Sequence, residues 1–173
     1  IHDQLKADHL IMGSSRALHH YNPQYLTPYY NIGEDRMGII FNYGRLQLVE
    51  ERNKVKSIIY DVEPDYDLLE DDNTTYLGNL RPYYWRDHIS SIFHDVDATE
   101  RFKMLFPFYP FNSRLLKLLA DTRAEDLTDK KGFVPYEGCQ AIIPENLPQD
   151  KHDKLKYAYL QTLIPTCQQQ PIQ

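Results

Sequence analysis

Cysteine is scarce in this chain, and long apolar runs and clustered positive charge are missing. Its two cysteines, Cys139 and Cys167, form no CxxC pair and have no histidines at metal-ligand spacing. The sequence therefore predicts neither a metal site nor a disulfide framework. No apolar run approaches the roughly 18 residues of a membrane span, and none follows a charged start as in a signal peptide. The chain starts at Ile1, not Met, which is compatible with a membrane anchor or targeting segment outside it.

The charge balance excludes another class of partner. There are 19 Lys and Arg against 25 Asp and Glu, a formal net charge of −6. Because neutralising phosphates needs a clustered basic surface, we expect no nucleic-acid binding, and anionic partners in general are disfavoured. The acidic stretch DVEPDYDLLEDD at 61–72 lacks the central Gly and terminal Glu of an EF-hand loop. A solvated acidic loop is the expectation there.

The chain is rich in apolar residues and in tyrosine. An apolar fraction of 42% in 173 residues predicts a single domain, residues 1–173, with a real core. The 14 tyrosines include pairs such as Tyr29–Tyr30 and Tyr83–Tyr84. Such tyrosines are typical of an amphipathic surface or a lid, and a sugar-stacking platform is the alternative.

Residues 1–64 alternate short apolar runs with helical patterns. Three runs closed by glycine or acids predict strands, at 9–12, 29–33 and 57–64. Asn22-Pro23 predicts the start of a short helix through Leu26, and 34–53 carries one apolar stripe at helical spacing. This alternation predicts a parallel sheet with right-handed crossovers in an α/β domain.

Residues 65–173 are predicted to be mostly helical, with an irregular insert near 125–148. Apolar residues at helical spacing predict a helix that carries Ile89, Ile92, Phe93 and Val96, and further helices at 98–106, 111–126 and 150–164. The last of these should present Leu160, Leu163, Ile164 and Cys167 on one face. Three clear strands are fewer than the about five of a doubly wound sheet, so we expect a sheet that is incomplete at its C-terminal strands.

Polar residues follow the predicted strand ends, where open α/β sheets keep their chemistry. Gly13, Ser14 and Ser15 follow the first strand, and Gly33 closes the second. A serine at such a turn can expose its hydroxyl, and nearby backbone N–H groups can bind a developing oxyanion. A helix cap or a turn is the alternative interpretation of the two serines.

The stretch DHLIMGSSRALHHYNPQYL at 8–26, followed by YNIG at 30–33, resembles the start of SGNH/GDSL-type hydrolases. It is most similar to a Gly-Ser-Ser-Arg branch of Bacteroidetes cell-envelope proteins. The resemblance implies a flavodoxin-like three-layer α/β/α sandwich. It also implies that Ser15 is the nucleophile, that Ser14 stands where the family usually has Asp, and that the Gly33 amide helps form the oxyanion hole.

The implied function is that of an esterase, or a carbohydrate O-acyl transferase or deacetylase, working through an acyl group on Ser15. The substrate would be an acylated carbohydrate or a small ester in the cell envelope or periplasm, and no cofactor is implied. The stretches FPFYPFNSRLLKLL and KGFVPYEGC extend the resemblance over most of the chain.

Two motifs of the family are missing. The end of the third strand, YDVEPDYD, has no Asn for the oxyanion hole, and no Asp-x-x-His occurs in the chain. In the nearest string, QDKHDK, Asp150 and His152 lie two apart, and a charged helix start explains both. His19 and His20 are expected to pack or to be exposed, because the following helix would carry them away from Ser15. A serine without a base is a poor nucleophile, so we expect the chain alone to be inactive.

Two further interpretations remain open at this stage. A non-catalytic envelope interaction or glycan-binding relative could keep the fold and bind through its tyrosines and acidic loop. A flavodoxin-like nucleotide or flavin binder falls behind, because no Gly-rich phosphate loop is present. An unfinished sheet leaves an open edge, which predicts a homo-oligomer or a partner segment that covers it.

Overall fold

A three-stranded parallel sheet lies at the centre of the computed structural model, which describes residues 7–70, 72–111, 131–136 and 152–168. Its strands are β1 (His9–Met12), β2 (Tyr30–Asn31) and β3 (Ser57–Tyr60), in the order β2-β1-β3. All three predicted strands are confirmed, although β2 and β3 are shorter than the apolar runs that predicted them. The protein therefore has a mixed α/β fold with a parallel sheet.

The first helix, α1 (Ser15–His20), begins earlier than the sequence pattern indicates. The predicted helix from Asn22 through Leu26 is wrong, because this stretch forms turns. The Oδ1 of Asn22 accepts a hydrogen bond from the Gln24 amide at 2.9 Å, and its carbonyl accepts one from Tyr25 at 3.1 Å. Asn22 thus accepts hydrogen bonds from the residues that follow it, as a turn residue does. The Asn-Pro pair is as well suited to a turn as to a helix start.

Six further α-helices are described. They are α2 (Ile39–Glu50), α3 (Pro64–Asp67), α4 (Asn73–Tyr76), α5 (Asp87–Val96), α6 (Glu100–Lys103) and α7 (Lys154–Gln168). The helix predicted to carry Ile89, Ile92, Phe93 and Val96 is confirmed as α5, whereas the one predicted at 98–106 is only the single turn of α6. None of the described helices has both the length and the apolarity needed to cross a membrane.

Part of the predicted C-terminal region lies outside the described residues. This applies to nearly all of the helix predicted at 111–126 and to most of the insert near 125–148. Residues 131–136, which we name the strap, are described and are neither helix nor strand. The strap runs beside β2, where the Asn31 amide donates to the Lys131 carbonyl at 3.0 Å.

Helix α2 is buried on more than one face, and not only along the single apolar stripe that the sequence shows. Nine of its 12 residues are buried, because α2 packs against α4, α5 and α7. In α7 the predicted apolar face is confirmed at Leu163 and, partly buried against the core, at Leu160, but it is wrong at Ile164. Leu163 is buried, but Ile164 is 47% exposed, and Lys156 and Tyr159 take the buried positions instead. The Cys167 side chain lies outside the described part.

Candidate functional site

Ser15 lies directly after the carboxyl end of β1, at the first residue of α1. The chain turns there through Gly13, whose φ of 144° is favourable only for glycine. A Cβ on Gly13 would lie 2.9 Å from the Asp61 carbonyl oxygen, so the turn also needs the missing side chain. Ser14 is the N-cap residue, but its side chain makes no capping hydrogen bond.

Ser15 opens into a polar cleft of about 290 Å³. We call it the Ser15 cleft, and it is lined by Ser15, Arg16, His19, His20, Asp35, Arg36 and Tyr136. The lining comes from α1, from the turn that follows β2, and from the strap. Ser15 was predictable from the sequence, but Asp35, Arg36 and Tyr136 were not, because only the fold brings them together.

His19 is held firmly within this cleft. Its Nδ1 lies 2.7 Å from the Val134 carbonyl oxygen, its Nε2 lies 3.0 Å from Asp35 Oδ1, and its ring meets the Tyr136 ring edge-on. His19 packs and His20 is exposed, as expected. However, His19 is not carried away from Ser15. Because α1 starts at Ser15 itself, residues 15 and 19 are one turn apart on the same face.

Neither ring nitrogen of His19 is directed to Ser15 in this arrangement. One faces the carbonyl of Val134 and the other the carboxylate of Asp35. Within the described part of the chain, no hydrogen bond joins Ser15 to a histidine. The cleft thus holds a serine and a histidine–carboxylate pair without the contact that would make them a triad.

The Gly33 amide is already occupied in the structure. Its N–H donates to Asn31 Oδ1 at 2.8 Å. Asn31, only 1% exposed, also donates to the carbonyl oxygens of Ala17 and Tyr21, at 2.6 and 2.9 Å. A Cβ on Gly33 would lie 2.6 Å from the Leu18 nitrogen, so glycine is required there for close packing against α1.

Arg16 binds three carboxylates from the chain that follows β3. Its guanidinium lies 3.0 Å from Asp61, 3.0 Å from Glu63 and 2.8 Å from Asp67. Partial burial lowers the pKa of Arg16, but the charges of Asp67 and Asp61 outweigh that effect and raise it. The expectation of a solvated acidic loop is wrong for these residues, because Asp61 and Asp67 are each only 15% exposed.

The two suggested substitutes for the missing base do not reach Ser15. Asp150 lies outside the described residues. His152 is exposed, forms a backbone bridge with Leu69 ahead of α7, and does not line the Ser15 cleft. The string QDKHDK therefore provides no described group beside the serine.

A serine–histidine contact does occur, but at the other end of the sheet. The Nδ1 of His9 lies 2.6 Å from Ser57 Oγ, and Ser57 donates a hydrogen bond to the Tyr29 hydroxyl at 3.1 Å. His9 and Ser57 are the first residues of β1 and β3 and face each other in the parallel register. This pair was not predictable from the sequence, since strand order and register are needed to find it.

A metal centre and an apolar groove are the other kinds of site to compare with the Ser15 cleft. Among the described residues, no three His, Cys, Asp or Glu side chains cluster so as to hold a metal ion. An apolar groove of about 450 Å³ shares no lining residue with the Ser15 cleft, and Phe102, Phe106 and Phe108 line it with exposed rings. It offers one lysine and one tyrosine as polar groups and no nucleophile paired with a base.

No protein-family model, curated protein or solved structure matches the chain.

Proposed function

We propose that this chain is an SGNH-type serine acyl hydrolase in which Ser15 is the nucleophile and the catalytic base is incomplete. The observation that carries the proposal is the position of Ser15, at the carboxyl end of the central strand and open to a polar cleft. Carboxyl ends of parallel strands are where ligands of open α/β sheets bind. An acylated carbohydrate or a small ester is the proposed substrate class.

The proposed chemistry is acyl transfer through the Ser15 hydroxyl. Ser15 Oγ would bond to the ester carbonyl carbon, and the bond from that carbon to the alcohol oxygen would break. The proton of Ser15 would pass to a base and then to the departing alkoxide, and water would later release the acid. The Ser15 N–H, at the start of α1, is the proposed oxyanion donor, while the Gly33 N–H could join it only by leaving Asn31.

The base is the weakest component of the proposed site. His19 is the nearest candidate by sequence spacing, but it would first have to leave Val134 or Asp35 to reach Ser15. We therefore expect slow acylation of Ser15 in the chain alone.

A flavodoxin-like three-layer sandwich is the proposed complete architecture. The order β2-β1-β3 is the beginning of the flavodoxin-like order, which supports this proposal. Right-handed crossovers would place α1 and α2 on opposite faces of the sheet. A cell-envelope location, with an anchor outside this chain, is proposed from the sequence resemblance alone.

Labelling with a fluorophosphonate probe tests the nucleophile. We expect slow labelling of the wild-type chain that is lost in Ser15→Ala and kept in Ser14→Ala and Ser57→Ala. Added imidazole should accelerate labelling at Ser15, because it would supply the missing base from solution. Labelling that survives Ser15→Ala, or that is lost in Ser57→Ala, would contradict the proposal and direct attention to the amino end of the sheet.

A non-catalytic binding protein is the second candidate. It is favoured by the hydrogen bonds that already occupy the Gly33 amide and both ring nitrogens of His19. A wild-type chain that stays unlabelled with and without imidazole would establish this candidate in place of the first.

A further inference from the structure

The charges that line the Ser15 cleft are unevenly paired. Arg16 is bound by three carboxylates, which leaves that group with an excess of two negative charges, and Asp35 faces the ring of His19. Arg36 is exposed and makes no hydrogen bond or ion pair with any described residue. The only formal charge of the lining left without a described partner is therefore a guanidinium, although the whole chain carries a net charge of −6.

The backbone of Arg36 is also unusual. Its φ is 61°, in the left-handed region that a long side chain adopts at a cost of roughly 1 kcal/mol. Because Arg36 is exposed and lines the Ser15 cleft, its guanidinium is available for a ligand contact there.

We infer that Arg36 makes the Ser15 cleft a site for a carboxylate, so that the ester acted on at Ser15 is one that carries a free carboxylate. A planar guanidinium binds a carboxylate through two parallel hydrogen bonds, which favours this anion over a neutral ester. The neighbouring His20 is exposed, has no described partner, and adds a further donor beside Arg36. This assignment of the substrate rests on the proposed function of Ser15, whereas the carboxylate site itself does not.

Binding is measured on the Ser15→Ala protein, so that the outcome does not depend on catalysis. The probes are monomethyl glutarate, which carries one carboxylate, and dimethyl glutarate, which carries none. We expect monomethyl glutarate to bind about fivefold more tightly than dimethyl glutarate in ligand-observed NMR titrations, with the difference shrinking as salt is raised.

Three variants at one position make the test specific. Arg36→Gln should abolish the preference for the carboxylate, and Arg36→Lys should keep part of it. Arg36→Gly should abolish it while unfolding at the same or a higher urea concentration than wild type, because glycine relieves the left-handed backbone. An unchanged preference in Arg36→Gln, or equal binding of both glutarate esters to the parent protein, would overturn the inference.

The two proposals fail separately. If the carboxylate preference is found but the wild-type chain is not labelled at Ser15, the cleft is a carboxylate-binding site of a non-catalytic protein. If Ser15 is labelled but no preference is found, the hydrolase proposal stands and the substrate is a neutral ester.

Discussion

At the scale of single residues, the Asn31 side chain binds three backbone groups, two in α1 and its C-cap and one in the turn after β2. Its amide nitrogen binds the carbonyls of Ala17 and Tyr21 at the end of α1, and its amide oxygen binds the N–H of Gly33. A buried side chain with this many partners fixes the position of the turn between α1 and β2.

Replacing Asn31 with alanine should lower the free energy of unfolding by about 2–4 kcal/mol, because buried backbone groups lose their partners. Urea unfolding followed by circular dichroism measures this. Asn22→Ala is the matched control, since the Asn22 side chain accepts a single exposed hydrogen bond and should cost about 1 kcal/mol or less. Equal losses in the two variants would show that Asn31 does not have this role.

Gly33 gives a second prediction at this scale. Gly33→Ala would place a Cβ 2.6 Å from the backbone nitrogen of Leu18, so α1 must shift and the protein should lose stability by about 1–3 kcal/mol. Gly38→Ala serves as the control, because nothing lies within 4 Å of the added atom. Thermal unfolding of both variants separates close packing from a general effect of replacing glycine.

At the scale of elements, Arg16 joins the start of α1 to β3 and α3. Its three partners, Asp61, Glu63 and Asp67, follow β3 in the sequence, and their carboxylates contact the Arg16 guanidinium. Arg16 therefore occupies the space between the carboxyl ends of β1 and β3. Arg16 also lines the Ser15 cleft, so this ion-pair cluster borders the cleft.

Arg16→Gln should destabilise the protein by about 1–3 kcal/mol, because three carboxylates lose their common cation. Arg16→Lys should recover only part of this loss, since an ammonium cannot reproduce the fork of a guanidinium. Urea midpoints at low and high salt provide the measurement. A Gln variant as stable as wild type would mean that the cluster contributes no net stability.

Some of these elements were predictable from the sequence and others were not. The strands were predictable, because each is an apolar run closed by glycine or by acids. The start of α1 was not, because Asn22-Pro23 is equally suited to a turn and to a helix cap. The consequence for the site was large, since an α1 that begins at Ser15 brings His19 into the same cleft.

The partners of Arg16 lay beyond sequence reasoning for a different reason. Asp61 and Asp67 are 45 and 51 residues away from it, and an acidic run in isolation is indistinguishable from a solvated loop. Long-range pairing depends on strand order, which decides that β3 and not β2 lies on that side of β1. Ser15 could be predicted as a candidate, whereas the charges around it could not.

At the scale of the whole molecule, Tyr60 and Tyr159 are the tyrosines whose raised pKa values contribute most to the response to alkali. Burial raises the pKa of Tyr60 and that of Tyr159, and the hydrogen bond from Tyr159 to Asp95 raises the latter further. An unfolded tyrosine ionises near pH 10, whereas these two stay protonated in the folded protein. Their contribution to stability is complete below pH 10 and is lost as the pH rises above it.

We therefore expect the urea midpoint to fall steadily from about pH 10 upwards. Tyr159→Phe should be less stable than wild type at pH 8 but should lose less of its stability between pH 10 and 11. Tyr157→Phe, altered at a half-exposed ring, should follow the wild-type profile. A wild-type midpoint that is constant up to pH 11 would contradict this interpretation.

Self-association is a second prediction for the whole molecule. Within the described residues β3 pairs only with β1, and the rings of Phe102, Phe106 and Phe108 are all more than 60% exposed. An open strand edge and exposed aromatic rings both favour contacts between copies. We expect light scattering at tens of micromolar to detect dimers or larger species, and a monodisperse monomer would count against this.

The close contact between Gly33 and Leu18 has a consequence for comparing related sequences. Any chain with this fold needs glycine at that position for steric reasons, whether or not it performs catalysis. A glycine retained there across relatives would therefore say nothing about an oxyanion hole. Asp35 and Arg36 are exposed, and the positive φ at Arg36 is a backbone conformation that favours glycine. Their retention in the same relatives would be the informative signature of selection for ligand binding.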